Sequence, residues 1–497
     1  MGTVLLTDLL ERAARLWPRM VALEDPVGAI TYGALPERAR RTAGLLRALA
    51  PGGRFAVWSA NRREVAELYW AAAYGGLTCV PINPRLTARE VDGILRDSAV
   101  EAIVVGDDTA GGLPPTDLPV LVFGEDYEAR VARAPELEAP GRSPDDDVLQ
   151  IYTSGTTGTP KGARLSHANF VALAWSAAVE RVAVHGDRYL VPIPLGHVSG
   201  GNRVFSCCLV GATVETVPRF AADETLRRFA DGGVTALIAV PTMLQALVDA
   251  AGGRDATGTL RRIGYGAAPI SHPLLVALRE TFSCELQQGY GLSETSGHAT
   301  ILLPEDHLDP AAPRLRSAGR PAAGMRVRVV GDDGAECAPG APGEVWLRGG
   351  NVMNGYWRRP EETAAALVDG WLRTGDIGLV DDDGYLHLVD RRTDMLISGG
   401  FNVYPREIEV QLHEHPAIAD CAVVGMPDAR WGEVPVAAIV LRAGATASAE
   451  ELAAFCRERL AGYKRPARFA LVEALPRTPL GKLDKRRLRA ELAPPGA

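Results

Sequence analysis

The chain has 497 residues, of which 47% are hydrophobic, and carries a formal net charge of −8 at pH 7. This length indicates more than one domain, and an acidic chain without a long basic face is not expected to bind nucleic acid. The seven cysteines form no CxxC pair. The N-terminus has no apolar signal segment. The most apolar stretch, 70–84, is too short to span a bilayer. We therefore predict a cytoplasmic protein with reduced thiols, no structural zinc and no membrane partner.

The first part of the chain alternates helical and strand patterns. Helices are predicted at 32–49, 63–74 and 88–98, and strands at 54–58, 78–82 and 102–105. The alternation returns at 187–249, with a buried strand at 234–241, and again at 261–281. Strands separated by helices predict βαβ units on largely parallel sheets.

From about residue 325 the pattern changes to short strands joined by Asp/Gly turns, which indicate an antiparallel sheet or barrel. After 390–394, a hairpin, a helix from Pro405, two strands, a helix from Ser448 and a basic tail predict a small α+β domain of about 100 residues. We predict an α/β protein with a large N-terminal domain, 1–390, of βαβ-type sheets plus a small antiparallel barrel-like subdomain. A hinge at 391–394 is expected to join it to a small C-terminal α+β domain, 395–497.

The segment TSGTTGTPK, at 153–161, combines hydroxyls, glycines and one lysine. It does not fit the Walker phosphate loop, because Pro160 precedes Lys161 and Gly162 replaces the Ser or Thr that would hold magnesium. Glycines let backbone N–H groups approach an anion, hydroxyls donate hydrogen bonds, and a lysine adds a point charge. The segment therefore predicts a polyphosphate site, with an ordinary Gly/Thr turn as the alternative.

The use of lysine supports the polyphosphate site. The chain has only four lysines among 53 basic residues, Lys161, Lys464, Lys482 and Lys485. Lysines that survive such a bias are enriched where a compact ammonium is needed in place of a guanidinium. Lys161 and Lys482 are therefore expected to share one anionic ligand. Lys464 is expected either to touch phosphate or to fix the surface of the last domain, and Lys485 to be solvated.

Further segments complete a pattern that covers nearly the whole chain. They are GYGAAP (264–269), QGYGLSET (288–295), GEVWLRGGNVMNGYW (343–357), GWLRTGD (370–376), DRRTDMLISGGFNVYPREIE (390–409) and PRTPLGK (476–482). Their order and spacing resemble the adenylate-forming superfamily of acyl-CoA synthetases, non-ribosomal peptide adenylation domains and firefly luciferases. The resemblance implies that a carboxylic acid is joined to the α-phosphate of ATP with release of pyrophosphate, and that a thiol then takes the acyl group.

The resemblance also implies a set of ATP-binding residues. They are Thr153, Ser154, Gly155, Thr156, Thr157, Gly158, Lys161, Gly266, Ala267, Ala268, Pro269, Gly289, Tyr290, Gly291, Thr295, Asp376 and Arg391. Within this set the Thr-rich loop is expected to hold the β- and γ-phosphates, and GAAP with Tyr290 the adenine. Asp376 matches the carboxylate on the ribose hydroxyls, and Arg391 a second ribose or phosphate contact. Thr153 and Glu294 match positions that engage Mg²⁺.

Lys482, His197 and Glu294 are the catalytic residues that the resemblance implies. Lys482 matches the lysine that bridges the substrate carboxylate and the α-phosphate in the transition state. His197 matches the gate between adenylate and thiol tunnel, with a plain core histidine as the alternative.

The thiol half-reaction implies a rotation of the C-terminal domain. Gly399 and Gly400 match the hairpin that lines the pantetheine tunnel after this rotation. Thr393 stands at the hinge position, where the family usually has Asp or Lys, so the energetics of the hinge stay open.

Three functions are open to a chain with these motifs. An acyl-CoA synthetase using ATP, Mg²⁺ and CoA is favoured, because FNVYPREIE follows the CoA-ligase form of that motif and the chain ends soon after Lys482. A stand-alone enzyme that loads a carrier protein is the alternative. A non-catalytic ATP sensor would predict substitution of Lys482 or Glu294, and neither is substituted. A monomer and a homodimer are both compatible with the sequence.

The acyl pocket is expected to include Ser199, Arg203, Tyr265 and His298. Arg203 lies beside the apolar run VFSCCLVGA, where a charge is costly unless it is paired. It is expected either to form a structural salt bridge or, with His298, to hold a polar or anionic group at the distal end of a small acid. Malonate is not indicated, because Gly289 stands where malonate-activating relatives often carry arginine.

Overall fold

The structure is a computed structural model that describes residues 4–137, 142–153, 160–268, 270–309, 312–391, 394–398, 401–428, 431–478 and 483–493. For residues 391, 397, 401 and 402 it describes the backbone alone. The chain divides into two compact units. Unit 1 comprises Met1–Ile270, Leu274–Val327 and Leu347–Arg373, and unit 2 comprises Ser271–Pro273, Arg328–Trp346 and Thr374–Ala497. The hinge at 391–394 and the domain bounds 1–390 and 395–497 stay predictions.

The strands of the described chain are β1 (Val21–Asp25), β2 (Gly28–Thr31), β3 (Arg54–Trp58), β4 (Thr78–Ile82), β5 (Ala102–Val105), β6 (Val120–Val122), β7 (Asp147–Thr153), β8 (Lys161–Ser166), β9 (Arg188–Val191), β10 (Thr213–Thr216), β11 (Ala236–Ala239), β12 (Arg262–Gly266), β13 (Glu285–Leu292), β14 (Gly297–Leu302), β15 (Arg320–Pro321), β16 (Met325–Val330), β17 (Gly343–Gly349), β18 (Gly355–Tyr356), β19 (Leu367–Val368), β20 (Trp371–Val380), β21 (Leu386–Arg391), β22 (Leu396–Ser398), β23 (Phe401–Val403), β24 (Ile418–Asp428), β25 (Gly432–Leu441) and β26 (Arg468–Leu471).

Its helices are α1 (Leu6–Leu16), α2 (Leu35–Leu49), α3 (Arg63–Gly75), α4 (Ala88–Ser98), α5 (Asp107–Ala110), α6 (Glu125–Arg133), α7 (His167–Val179), α8 (Val198–Gly201), α9 (Arg203–Val210), α10 (Ala222–Ala230), α11 (Pro241–Ala251), α12 (His272–Thr281), α13 (Pro360–Ala366), α14 (Pro405–His413), α15 (Ala449–Arg459) and α16 (Lys485–Leu492). Short 3₁₀ turns lie at Ser293–Thr295, Pro304–His307, Pro313–Arg316 and Gly462–Lys464. No helix in the described ranges is long and apolar enough to cross a membrane.

Capping residues explain several helix starts. The Thr87 hydroxyl accepts from the Glu90 N–H, and the Glu90 carboxylate accepts from the Thr87 N–H at 2.8 Å, which closes a capping box before α4. Ser166 begins α7 in the same way with Asn169. Each box satisfies N–H groups that a helix start leaves unpaired.

One sheet of unit 1 has the order β18-β8-β7-β4-β3-β5-β6. Its strands β3, β4 and β5 pair in parallel, and every residue in them is buried, as expected for strands covered on both faces. The antiparallel pair of β7 and β8 encloses the Thr-rich segment.

The second sheet of unit 1 has the order β15-β14-β13-β12-β11-β9-β10-β1-β2. Strands β11, β12 and β13 are parallel, and β14 returns antiparallel to β13. The segments GYGAAP and YGLSET start in the last residues of β12 and β13 and continue beyond them. Both segments therefore lie at the carboxyl edge of the sheet, where open α/β folds bind ligands.

A third, small sheet has the order β16-β17-β20-β19, with β21 paired to β20, and its β19–β20 and β20–β21 pairs are antiparallel. In unit 2, β24 and β25 form a long antiparallel pair, β26 runs parallel to β25, and β22 and β23 form the predicted hairpin. The α/β prediction with an antiparallel subdomain and a small α+β domain is confirmed. The basic tail differs from expectation, because residues 485–492 form helix α16, whose Leu488 and Leu492 are buried.

Candidate active site

The Thr-rich segment is closed by a strand pair. Thr153 and Lys161 are cross-strand partners on β7 and β8, and the Thr153 hydroxyl donates to the Lys161 carbonyl at 3.5 Å. The predicted phosphate ligands Ser154, Gly155, Thr156, Thr157 and Gly158 lie outside the described residues. The strand pair therefore fixes the two ends of the loop, including the backbone of Lys161 from which its side chain extends.

A hydrogen-bonded network contacts strand β7 of this hairpin. The Arg54 guanidinium lies 3.6 Å from the ring centroid of Trp357 and hydrogen-bonds to Gln150 on β7. The Trp357 indole donates to the Asp97 carbonyl at 3.1 Å, and the Tyr152 hydroxyl donates to the Asp97 carboxylate at 2.6 Å. Burial lowers the pKa of Arg54 to about 10, so it stays charged at neutral pH. A buried network with its polar groups satisfied holds β7 in one position.

Glu294, the predicted magnesium ligand, lies beside this hairpin. Its Oε1 accepts the Tyr356 hydroxyl at 2.8 Å, and its carbonyl accepts the Met353 N–H at 2.8 Å. Lys161 Nζ lies 5.5 Å from the centroid of the Tyr356 ring. Burial and the Glu294 carboxylate raise the pKa of Tyr356, which keeps its hydroxyl a donor. Tyr356 therefore joins the loop lysine to the acidic residue.

The predicted adenine segment lies at the ends of β12 and β13. Gly266 pairs with Gly289, and a Cβ at Gly266 would lie 2.4 Å from the Gly289 carbonyl oxygen, so a side chain does not fit there. Ala267 has φ +62°, a conformation that is costly for a residue other than glycine and that clusters at ligand sites. The β13–β14 pairing shifts register between Tyr290 and Gly291. Ala268 is exposed and Pro269 lies outside the described residues.

The hydroxyl of Thr295 is engaged in holding the turn after β13. It donates to the Gly297 carbonyl at 2.7 Å and accepts from the Leu292 N–H at 2.9 Å. Thr295 is fully buried. It therefore sets the path of the chain around Glu294, and its predicted contact with ATP stays a prediction.

His197 caps helix α8. Its Nδ1 accepts the Ser199 N–H at 3.2 Å, which leaves Nε2 as the protonated nitrogen of the neutral ring. The side chain is half-buried, as is Ser199. The gate role of His197 stays a prediction.

Arg203 is the first residue of α9 and is 7% exposed. Its guanidinium lies 5.2 Å from the Tyr189 ring centroid. Within the described part of the chain, its Nε and Nη1 have no hydrogen-bond partner, and neither does the buried Tyr189 hydroxyl. The expected structural salt bridge is not found among the described residues. Unpaired buried donors are rare in folded proteins, so Arg203 has the chemistry of a ligand-binding residue.

His298 lies on β14 opposite Gly291. Its Nε2 shares a hydrogen bond with the Ser176 hydroxyl at 3.0 Å, and its carbonyl accepts from Asn351 Nδ2 at 2.9 Å. Burial and the nearby Arg203 charge lower the pKa of His298 to about 3. The imidazole is therefore neutral, and the positive charge at this position belongs to Arg203.

Tyr265 lies in the hydrophobic core of unit 1. Its side chain is 1% exposed, and its hydroxyl donates at 2.8 Å to His307 Nε2. Because side chains alternate along a strand, Tyr265 faces the hydrophobic core, whereas the neighbouring Gly264 faces the Tyr189 hydroxyl. That the Tyr265 side chain lines the acyl pocket stays a prediction.

Unit 2 brings the two predicted ribose residues together. Asp376 on β20 and Arg391 on β21 are directly opposite cross-strand partners, and Asp376 is 6% exposed. Predicted residues Thr393, Gly399, Gly400 and Lys482 lie outside the described residues.

The remaining lysines of unit 2 form ion pairs. Lys464 Nζ donates to Glu407 at 2.6 Å, as expected of a residue that fixes the surface. Lys485 Nζ lies 3.4 Å from Asp394 Oδ2 and 3.6 Å from Glu409 Oε1. Only 15% of the Lys485 side chain is exposed. The prediction that Lys485 is solvated is therefore wrong.

The fold and these clusters define a nucleotide-dependent enzyme of the doubly wound α/β class with an appended small domain. The model of the AMP-binding enzyme family matches residues 10–357, and the model of the AMP-binding enzyme C-terminal domain matches residues 407–482. The chain belongs to this family, and so to the adenylate-forming superfamily.

Named relatives cover nearly the whole chain. Fatty acid–[acyl-carrier-protein] ligase ScoC of Streptomyces coeruleorubidus is 38% identical over 93% of this chain and 91% of its own. Feruloyl-CoA synthase of Amycolatopsis sp is 37% identical over 96% and 97%. The o-succinylbenzoate CoA synthetase MenE of Bacillus subtilis, solved with the acyl-adenylate OSB-AMP, has a TM-score of 0.86 and 33% identity over 97% of both chains. The same enzyme was also solved with ATP and magnesium ion.

Two contacts of the site were missed by the sequence reasoning. Tyr356 stood in the segment GYW, but no pattern paired its hydroxyl with Glu294, 62 residues earlier. The sequence did not indicate a role for Ser176, because a single serine within an apolar helix does not predict a particular contact. Its contact with His298 spans 122 residues.

Proposed function

We propose that this protein is an ATP-dependent acid–thiol ligase that converts a small carboxylic acid to its acyl-adenylate and then to its CoA thioester. The observation that carries the proposal is the cluster of Lys161, Tyr356 and Glu294 at the closed end of the Thr-rich loop. It combines a cation for phosphate oxygens with a carboxylate for a metal ion. Family membership, and relatives named as CoA ligases, support the reaction type.

In the first half-reaction, a carboxylate oxygen of the acid attacks the α-phosphorus of ATP. The bond from that phosphorus to the oxygen bridging to the β-phosphate breaks, and pyrophosphate leaves with the electron pair. We assign Lys161 to the charge of the leaving phosphates and Lys482 to the charge that builds at the α-phosphate.

The residues present fit Mg²⁺. Among the described residues, the Tyr356 hydroxyl bonds to Oε1 of Glu294 and leaves the other carboxylate oxygen for a hard cation, and the Thr153 hydroxyl is a second oxygen donor. Proteins commonly bind Mg²⁺ through one or two side-chain oxygens together with the phosphates of the substrate. When bound, the ion supplies neutralisation of charge on the departing pyrophosphate.

In the second half-reaction, the thiolate sulfur attacks the acyl carbon, the bond to the adenylate oxygen breaks, and AMP leaves with the electron pair. We assign His197 to the gate on the thiol side, and Gly399 and Gly400 to the pantetheine tunnel. In this assignment the C-terminal domain, 395–497, rotates about residues 391–394, with Thr393 at the hinge.

The acceptor is tested by supplying both thiols separately. Purified protein, ATP, Mg²⁺ and a panel of small acids are mixed with free CoA in one series and with a phosphopantetheinyl carrier protein in the other. We expect the thioester with free CoA. Thioester on the carrier protein alone would instead support the carrier-loading function that ScoC represents by name.

The acid is proposed to carry an anionic or polar group at its distal end. Arg203 supports this, because two of its buried donors have no partner within the described ranges, and the nearby His298 is neutral and adds no competing charge. We also propose a cytoplasmic location, which supplies ATP and CoA and suits the seven unpaired cysteines.

A further inference from the structure

An apolar groove opens at the surface beside helix α7. Its volume is about 390 Å³, and its lining includes Ala172, Trp175, Ser176, Val179, Met325 and Asn351. Trp175 and Val179 are large hydrophobic side chains that are 53% and 65% exposed. The groove therefore offers a hydrophobic surface that nothing in the described chain covers.

Two of the groove residues bind His298 directly. The Ser176 hydroxyl shares a hydrogen bond with His298 Nε2 at 3.0 Å, and Asn351 Nδ2 donates to the His298 carbonyl at 2.9 Å. Ser176, Asn351 and His298 are all buried. The Ser176 hydroxyl and the Asn351 amide thus connect the groove lining to His298.

His298 also lies close to Gly289 and within electrostatic range of Arg203, a residue assigned to the acyl pocket. A Cβ at Gly289 would lie 3.4 Å from the His298 Cβ, so His298 stands against the strand that continues to Tyr290. Arg203 is close enough for its charge to act on the imidazole. His298 therefore hydrogen-bonds to the groove-lining Ser176 and lies within electrostatic range of Arg203.

We propose that Ser176 and His298 form a hydrogen-bonded partition between the acyl pocket and the groove, and that this partition sets the upper length of the acids accepted. The inference rests on the proposed function. In the native protein the partition excludes long alkyl and aryl tails. Once the imidazole is removed, an apolar tail passes into the groove and lies against Trp175 and Val179.

The test measures pyrophosphate release for a homologous series of straight-chain monocarboxylic acids with native protein, His298→Ala and His298→Ser. One methylene in a hydrophobic site changes kcat/KM by roughly 10-fold or more, so the ratio of long-acid to short-acid kcat/KM should rise at least about 10-fold in both variants. Ser176→Gly opens the same wall from the helix side and should shift the ratio in the same direction. Melting temperatures identify variants that fail to fold.

Val179→Asp is the matched control, because this exposed residue lines the groove and lies away from the partition. Alone it should leave the profile of the native protein unchanged. Combined with His298→Ala it should remove the gain for long acids and leave short acids unaffected. An unchanged ratio in the folded opening variants, or a gain that survives Val179→Asp, would overturn the partition.

A fluorescence measurement distinguishes failure of the proposed partition from failure of the proposed function. A long-chain acid should quench Trp175 in His298→Ala, measured as the difference from His298→Ala with Trp175→Phe, and should not do so with His298 present. This signal requires no turnover. Absence of pyrophosphate release with every acid, together with this quenching, would refute the proposed reaction and leave the partition standing. Absence of quenching would count against the partition.

Discussion

Arg203→Met tests whether the unpaired arginine binds substrate. Methionine keeps much of the apolar stem and removes the guanidinium. Breaking a buried charge-assisted pair with the acid costs about 2–5 kcal/mol, which corresponds to a loss of roughly 30-fold to roughly 5,000-fold in kcat/KM for the preferred acid. An apolar acid of equal size should be used better, because the unpaired charge no longer opposes it.

The stability of the free protein gives a second and independent magnitude. Two guanidinium nitrogens of Arg203, Nε and Nη1, are buried and have no hydrogen-bond partner among the described residues. Each unmade buried hydrogen bond costs about 1–3 kcal/mol. Removing them should leave the melting temperature unchanged or raise it. An arginine that braced the fold would behave in the opposite way, because breaking a buried pair costs about 3–5 kcal/mol.

Arg262→Met is the matched control. Arg262 is also buried in unit 1, but its guanidinium lies 3.1 Å from Asp187 and 2.8 Å from Glu285. This variant should lower the melting temperature and depress all acids alike. The comparison therefore separates a paired structural arginine from an unpaired one.

The assay is pyrophosphate release with a dicarboxylate and with its monocarboxylate isostere, in native protein and in both variants. The preference ratio should collapse in Arg203→Met and persist in Arg262→Met. If the ratio in Arg203→Met stays that of the native protein, or its melting temperature falls as in Arg262→Met, Arg203 belongs to the scaffold.

Three further perturbations follow from the site. Lys482→Ala should slow pyrophosphate release by roughly 10²- to 10³-fold, about 3–4 kcal/mol, yet still convert supplied acyl-adenylate to acyl-CoA. Equal loss in both half-reactions would refute the proposed rotation of the C-terminal domain between them. Gly400→Leu should spare adenylate formation and slow thioester formation, and normal CoA turnover would remove the tunnel assignment. Tyr356→Phe should raise the Mg²⁺ concentration needed for half-maximal pyrophosphate release, because it removes the hydroxyl bound to Glu294. An unchanged Mg²⁺ requirement would show that Tyr356 does not position that carboxylate.

Local patterns predicted the core of the fold. Strands Arg54–Trp58, Thr78–Ile82 and Ala102–Val105 and helix Ala88–Ser98 have the predicted bounds, because buried apolar runs and a capping box mark them in the sequence. Helix α16 was expected only as a basic tail, because the two leucines that it buries are outnumbered by charged residues. Tertiary packing decides such a segment, and propensity does not.

The motifs of the site were readable, but several contacts of its side chains were not. Thr153 and Lys161 lie on one hairpin, so their proximity follows from local sequence. The side-chain direction of Tyr265 depends on which face of β12 meets the core, and the short pattern GYG leaves that open. The burial of Lys485 depends on carboxylates that are distant in sequence, Asp394 and Glu409. Such contacts between distant segments have no periodic signature.

Exchange of labelled pyrophosphate into ATP, followed by addition of CoA, tests the central claim most directly. We predict exchange that requires both the acid and Mg²⁺ and proceeds without CoA, because the acyl-adenylate forms reversibly before any thiol reacts. Adding CoA should then yield equal amounts of acyl-CoA and AMP. Exchange that is independent of acid, or formation of ADP and phosphate in place of AMP and pyrophosphate, would contradict the account.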